Sequence, residues 1–218
     1  MSTWTSKGRV ALALSALMVL AGCLAGVPGG EAARAITVTA GAGPAAAVTI
    51  AGPAGYCIDR GASRDGAEGG FVLLGTCAAL TGVAQPGTPA RPAVLTATVR
   101  PGAPEGAPFS ASFPAMARFL RTVPGRAAMS RSGRAGTVSL AEVLSRGEVL
   151  YLGVRDTSAS AGQPVEADYW RAILALRGQI VTLSAQGLRD RPLPAAEKRR
   201  VLEAFVAAVR AANRTAAP

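Results

Sequence analysis

The chain contains no histidine. That absence excludes Ser-His-Asp and Cys-His nucleophilic catalysis, histidine-ligated zinc or iron, and any imidazole proton shuttle. Lysine is almost as scarce, present only at positions 7 and 198, so a Ser-Lys mechanism would have to use Lys198. That residue stands among Glu197, Arg199 and Arg200 in a stretch that reads as a solvated helix face, whereas an activated lysine needs a desolvated site. There is no G-x-x-x-x-G-K-[ST] loop, and glycine-rich Gly66 to Gly70 has neither the lysine nor the following helix of a phosphate cradle. An Asp-Lys-Thr-Gly phosphorylation motif is also missing. Aromatic residues make up only 5% of the chain.

Cysteine is the next shortage, with three in 218 residues. Cys57 and Cys77 lack the C-x-x-C spacing of a redox centre. Without histidine, a zinc site at these two thiols would need carboxylates to complete it. We therefore expect no metal and no cofactor. Paired carboxylates of the glycosidase kind could come from Asp59, Asp65 and Glu68, or from Glu166 and Asp168. Both groups fall in stretches read as loops, where acids are usually solvated, and no catalytic residue is assigned.

The amino-terminal segment carries the clearest positive signal. Lys7 and Arg9 form a basic n-region, and VALALSALMVL from Val10 to Leu20 is a short apolar h-region. Leu20-Ala21-Gly22-Cys23 follows, and it resembles the lipobox of bacterial lipoproteins. The resemblance implies that residues 1–22 are a signal peptide and that Cys23 is lipidated. Leu24, where enterobacterial lipoproteins retained in the inner membrane have Asp, favours the outer membrane. Two other outcomes compete with the lipobox. The apolar run could continue to Val27 as an uncleaved span, or cleavage after Ala33-Arg34-Ala35 could give a soluble secreted protein. All three place the rest of the chain outside the cytoplasm. With Cys23 used by the lipid, Cys57 and Cys77 remain as an even pair, expected to form a disulfide in an oxidising compartment; two buried thiols or a metal pair are the alternatives.

The formal net charge is +10, and loss of residues 1–22 removes two basic residues and no acids, leaving +8. An Ala/Gly/Pro/Arg-rich, Lys-poor composition is the imprint of a GC-rich genome, so the arginine excess alone assigns no function. Physically it still attracts anionic lipid, acidic glycan or an acidic protein. Nucleic acid is excluded as a partner by the export signal and by the lack of a basic, aromatic-interleaved motif. Arg126, Arg131 and Arg134 form one cluster suited to bidentate binding of carboxylate or phosphate, and Arg189, Arg191, Arg199 and Arg200 form another.

Residues 23–35 read as a lipidated tether, 36–213 as a single α+β domain and 214–218 as a tail. Ile36 to Ala40, Val48 to Ile50, Gly55 to Asp59, Phe71 to Gly75, Pro92 to Val99 and Val149 to Val154 read as strands. Loops are expected at 60–70, 100–108 and 157–167. Ser112 can cap a short helix with Met116, Phe119 and Leu120 on one face. Ser139-Leu140-Ala141-Glu142 matches a capping box before a second short helix that Gly147 would stop. Tyr169 to Leu176 and Ile180 to Ala185 form a hairpin around Arg177-Gly178-Gln179. From Pro194 a helix runs to about Asn213, with Val201, Leu202, Phe205, Val209 and Ala212 as its apolar stripe. Trp170 reads as core or sheet cover. The fold class is α+β: an antiparallel sheet with packed helices, ending in a β-hairpin and an amphipathic helix.

The ending Tyr169-Trp170-Arg171-Ala172-Ile173-Leu174-Ala175-Leu176-Arg177-Gly178-Gln179-Ile180-Val181-Thr182-Leu183 resembles the PsbP-like α/β/α sandwich. The segments Tyr56 to Asp59 and Phe71 to Gly75 resemble uncharacterised envelope lipoproteins of alphaproteobacteria. Neither resemblance supplies a catalytic residue, and the first implies a binding or assembly role. The expected function is a non-enzymatic envelope lipoprotein that binds or scaffolds a partner at the membrane surface. The alternatives are a carboxylate-dependent glycan hydrolase and an arginine-mediated binder of anionic lipid or glycan.

Overall fold

A computed structural model describes residues 32–83, 86–103, 106–160 and 164–214, with the side chains of 159 and 160 left aside. The signal segment and Cys23 lie outside the described residues. A small hairpin of β1 (Ala35–Val38) and β2 (Val48–Ala51) precedes a seven-stranded sheet. The sheet comprises β3 (Tyr56–Arg64), β4 (Gly70–Thr76), β5 (Ala93–Pro101), β6 (Val138–Arg146), β7 (Val149–Asp156), β8 (Val165–Leu176) and β9 (Gln179–Leu188). Its order is β3-β4-β5-β9-β8-β7-β6, antiparallel at every pairing. Helices α1 (Cys77–Thr81), α2 (Phe113–Leu120), α3 (Val123–Met129) and α4 (Ala195–Arg214) complete the fold. The α+β class with a closing hairpin and terminal helix is therefore as the sequence predicts.

Period-two alternation drives the central strands. In β5, Ala93, Leu95, Ala97 and Val99 are buried, while Val94, Thr96 and Thr98 between them are half-buried. The first set joins Leu74, Leu174, Leu183 and Trp170 in a core closed by α4, which contributes Leu202, Phe205, Val206 and Val209. The β8–β9 hairpin turns on Arg177 (φ 51°) and Gly178 (φ 71°). Two successive positive-φ residues match the twist of the strands, and glycine takes that conformation without steric cost. Besides this hairpin, α4 packs on β2, where the Asn213 side chain accepts from the Thr49 N–H (3.0 Å) and donates to the Thr49 carbonyl (2.7 Å). A second core lies on the opposite sheet face, where Phe109, Phe113, Leu120 and Met129 cover Leu150, Leu152, Val154 and Tyr169.

The Cys57 and Cys77 sulfurs stand at disulfide distance, 1.96 Å, with Cα atoms 4.8 Å apart. Their contact joins the start of α1 to edge strand β3. The same edge is covered farther along, since the Ala33 carbonyl accepts from the Ile58 N–H at 2.8 Å. Arg34 likewise accepts from Gly52 at 3.0 Å. The folded unit therefore takes in residues expected to belong to the tether.

Three sequence expectations are corrected. The capping-box segment is strand β6, not a helix. A bulge between Leu140 and Glu142 shifts its alternation by one residue. Leu140, Val143 and Leu144 consequently fall at helical i, i+3, i+4 spacing although the chain is extended. The expected loop at 60–70 is strand through Arg64. Asp59 Oδ1 accepts from the Ala62 N–H (3.0 Å) across a bulge there, and Ser63 Oγ donates to the Asp59 carbonyl (2.6 Å) and accepts from Leu73 N–H (3.1 Å). These side-chain bonds replace missing ladder bonds. At 157–167, Thr157–Ser160 form a 3-10 turn and β8 begins at Val165.

Candidate anion-binding surface

Cross-strand register places three rows of side chains on the sheet face opposite α4. One row runs Leu73, Thr96, Ser184, Arg171, Leu152 across β4, β5, β9, β8 and β7. Its neighbours run Phe71, Thr98, Thr182, Ile173, Leu150 and Val94, Gln186, Tyr169, Val154. At β7 the residues are 0–3% exposed beneath α2 and α3. Toward β4 and β5, Phe71, Leu73, Val94, Thr96 and Thr98 remain half-buried, outside both apolar cores. The helices therefore cover one half of this face and leave a step at its middle.

Arg131 and Arg171 stand at that step, lining a cleft of about 60 Å³ with Val94, Thr96, Met129, Tyr169, Ser184 and Gln186. Arg131 donates from Nη2 to Gln186 Oε1 at 2.5 Å. Gln186, 6% exposed, in turn donates to the Glu166 carbonyl. Arg171 donates from Nε to Ser184 Oγ at 3.3 Å, and its guanidinium carbon lies 5.1 Å from the Tyr169 ring centroid. The Tyr169 hydroxyl donates to the Met129 carbonyl at 3.3 Å. Burial raises the Tyr169 phenol above its ordinary pKa, outweighing the opposing effect of Arg171 and Arg131. Neutral groups thus fix both guanidinia, and among the described residues neither makes an ion pair with a carboxylate. A guanidinium has five donors, so each retains capacity for an anion. Arg64 adds a third charge, its guanidinium 4.9 Å above the Phe71 ring.

A buried carboxylate supports this step from behind. Asp156 is 0% exposed and accepts from the Arg131 N–H (2.8 Å), the Ser158 N–H (3.0 Å) and the Ser158 hydroxyl (2.6 Å). Burial alone would raise its pKa, but these bonds and one from Thr137 outweigh burial and hold it below the usual value. The Arg131 backbone is thereby fixed where the chain leaves α3.

The sequence-predicted cluster divides among different neighbours. Arg131 lies in the cleft, while Arg126 donates from Nη1 to the Arg121 carbonyl (2.5 Å) and Arg134 from Nε to Ser132 Oγ (3.4 Å). The carboxy-terminal cluster is largely neutralised. Arg199 pairs with Glu142 (3.6 Å) and Glu203 (3.8 Å), Arg200 with Glu197 (3.9 Å), and Arg191 with Asp190 (3.7 Å). Sequence reasoning missed Arg171, although its position in the strongly alternating β8 places it on the face opposite Trp170. Trp170 itself is core, 6% exposed, with Arg199 5.6 Å from its ring centroid.

The acids considered for catalysis are held by local structure. Asp65 accepts from the Thr39 N–H and hydroxyl, both at 2.8 Å, and from the Ala40 N–H at 2.9 Å. Its pKa lies below the ordinary value because these bonds outweigh its desolvation. Asp59 bridges the β3 bulge, Glu68 is exposed, and Asp168 pairs with Arg155 at 2.9 Å. Two readings are corrected here. Lys198 is not solvated but 3% exposed, with Nζ 3.0 Å from Glu166 Oε2 and donating to the Asp168 carbonyl at 3.1 Å. Glu166 is accordingly a partly buried partner on β8 rather than a loop acid, its side chain 17% exposed; it also accepts from the Leu193 N–H at 3.1 Å. Among the described residues no group of three or more His, Cys, Asp or Glu could hold a metal.

No family model, curated protein or solved structure matches the chain. Among the described residues, no helix is long and apolar enough to cross a membrane.

Proposed function

We propose that this protein is a non-enzymatic, lipid-anchored lipoprotein of the bacterial envelope that binds an acidic partner on the open half of its sheet. The observation that carries the reading is the pair Arg131 and Arg171, fixed at the cleft by Gln186, Ser184 and Tyr169 without a neutralising carboxylate. Guanidinia held in place before binding lose little side-chain entropy when an anion arrives. The neighbouring Phe71, Leu73 and Val94 offer apolar contact beside that charge. The Asp65 and Asp59 carboxylates are engaged by local backbone N–H groups, which weakens the hydrolase alternative.

Anchoring through Cys23 is supported by the lipobox and by the ties at Ala33 and Arg34. Cleavage after Ala35 would delete both carbonyls bonded to Ile58 and Gly52, whereas cleavage before Cys23 preserves them. Proximity labelling of the intact protein in its own envelope tests the binding claim. Arg131→Gln/Arg171→Gln should lose the neighbours enriched by the native protein, with export and abundance unchanged. An unchanged neighbour set would overturn the assignment, as would turnover of an envelope glycan abolished at one carboxylate.

A further inference from the structure

The turn between α2 and α3 presents large apolar side chains to solvent. Phe119 is 49% exposed and Val123 62%. This departs from the sequence expectation for α2: Leu120 is buried and Met116 packs beside it, while Phe119 points away. Phe119 is one of only five phenylalanines in the chain, and it contributes nothing to either core.

The turn is rigidly mounted. A Cβ on Gly125 would lie 2.0 Å from the Phe119 carbonyl oxygen, so glycine allows α3 to pack directly on the end of α2. Thr122 Oγ1 accepts from the Gly125 N–H at 3.2 Å, capping α3. Phe113 and Leu120 on α2, with Met129 on α3, anchor the pair to the sheet. The exposed apolar ridge is therefore a fixed projection.

The sequence around it carries one sign of charge. Between residues 106 and 141 the sequence has five arginines and no aspartate or glutamate. Arg118 and Arg121 flank Phe119, and Arg126 lies one turn into α3. Arg121 donates to the Ala117 carbonyl at 3.0 Å, and Arg126 reaches back to the Arg121 carbonyl. Both guanidinia are thereby held near the ridge, and among the described residues none of the three has a carboxylate partner.

We infer that the α2–α3 turn docks on an anionic phospholipid surface, with Phe119 and Val123 entering the headgroup region and Arg118, Arg121 and Arg126 on lipid phosphates. Phe119 and Val123, 49% and 62% exposed, are apolar side chains of the kind that enter a bilayer interface. Charge complementarity supplies the rest: each arginine near an anionic membrane adds attraction, and apolar side chains add burial in the interface. The inference rests on membrane-surface placement of the protein, but uses residues separate from the Arg131–Arg171 cleft.

Phe119→Trp in the full chain supplies a local probe that the lipid anchor does not mimic. Reconstituted into vesicles containing phosphatidylglycerol, the Phe119→Trp minus native difference emission should shift to the blue and be quenched by brominated acyl chains. In phosphatidylcholine vesicles both effects should be absent, and Arg118→Gln/Arg121→Gln/Arg126→Gln should abolish them on phosphatidylglycerol. Emission unchanged on phosphatidylglycerol, while the protein remains vesicle-bound, would overturn the inference and leave anchoring intact. An equal shift in both vesicle types would overturn the charge recognition. A shift that tracks protein concentration without vesicles would assign the ridge to a second copy and likewise overturn it. The Arg131→Gln/Arg171→Gln variant should dock like the native chain, so failure of the cleft and failure of the ridge read out separately.

Discussion

Removing Lys198 leaves the largely buried Glu166 carboxylate, 17% exposed, with one backbone donor, the Leu193 N–H. Stripping one partner from a buried ion pair costs far more than the pair's net contribution, because the survivor keeps its desolvation penalty. Lys198→Ala is expected to lower unfolding free energy by about 3 kcal/mol, read as a reduced urea midpoint with unchanged slope. A change below about 1 kcal/mol, the range of a surface pair, would show that the site is wetter than the structure implies. Sequence alone places Lys198 between charged neighbours on an amphipathic helix, where solvation is the ordinary outcome. Its burial depends on Glu166 arriving from β8, about 30 residues earlier, and on Gly187 leaving room: a Cβ there would lie within 1.8 Å of Glu166 Oε2. Long-range pairings of this kind leave no local trace. Arg171 differs, because its alternation with Trp170 and Ala172 already assigns its face.

Elements were legible where their periodicity ran unbroken. The strands β4, β5, β8 and β9 and helix α4 show clean alternation or a single apolar stripe, and those assignments hold. Two of the three corrected segments contain register shifts, a one-residue bulge at Leu140/Glu142 and a longer irregularity at Asp59/Arg64, which break the alternation and disguise extended chain as helix or loop. Phe119 departs from the expected face for a related reason: short α2 has too few turns to define its apolar face. At β3 and α1, the Cys57–Cys77 link closes a separation of 20 residues. In the chain-entropy account such a link contributes about 3 kcal/mol by restricting the unfolded chain. Cys57→Ser/Cys77→Ser should therefore lower the urea midpoint by a corresponding amount. A native midpoint in that variant would mean that β3 is held by its ladder and the Ala33 carbonyl alone.

The whole molecule has an unusual titration profile because it lacks histidine. Asp65 and Asp156 both titrate below their ordinary values when folded. For groups lowered in this direction, the unfolded chain takes up protons first as pH falls. Their stabilising effect is complete above the unfolded carboxylate range near about 4, and is lost progressively as pH falls through the folded values. The urea midpoint should therefore be flat between about pH 5 and 8 and fall below about pH 4. Asp156→Asn should weaken the acid dependence. A transition near pH 6.5, the range of an unperturbed histidine, would contradict this account.

At the same scale, the two proposals give the ends of the α2–α3 layer different tasks, docking on lipid at the turn and receiving a partner on the sheet beside α3. The most direct measurement is photo-crosslinking from single positions of the intact protein in its own envelope. A probe at Thr96, on the open half of the sheet, should yield a defined protein or glycan adduct that disappears in Arg131→Gln/Arg171→Gln. A probe at exposed Ala207 on α4, beyond the opposite face, should yield none. Adducts from Ala207 but not Thr96, or a Thr96 adduct indifferent to both arginines, would contradict the assignment of the open sheet face as the binding surface.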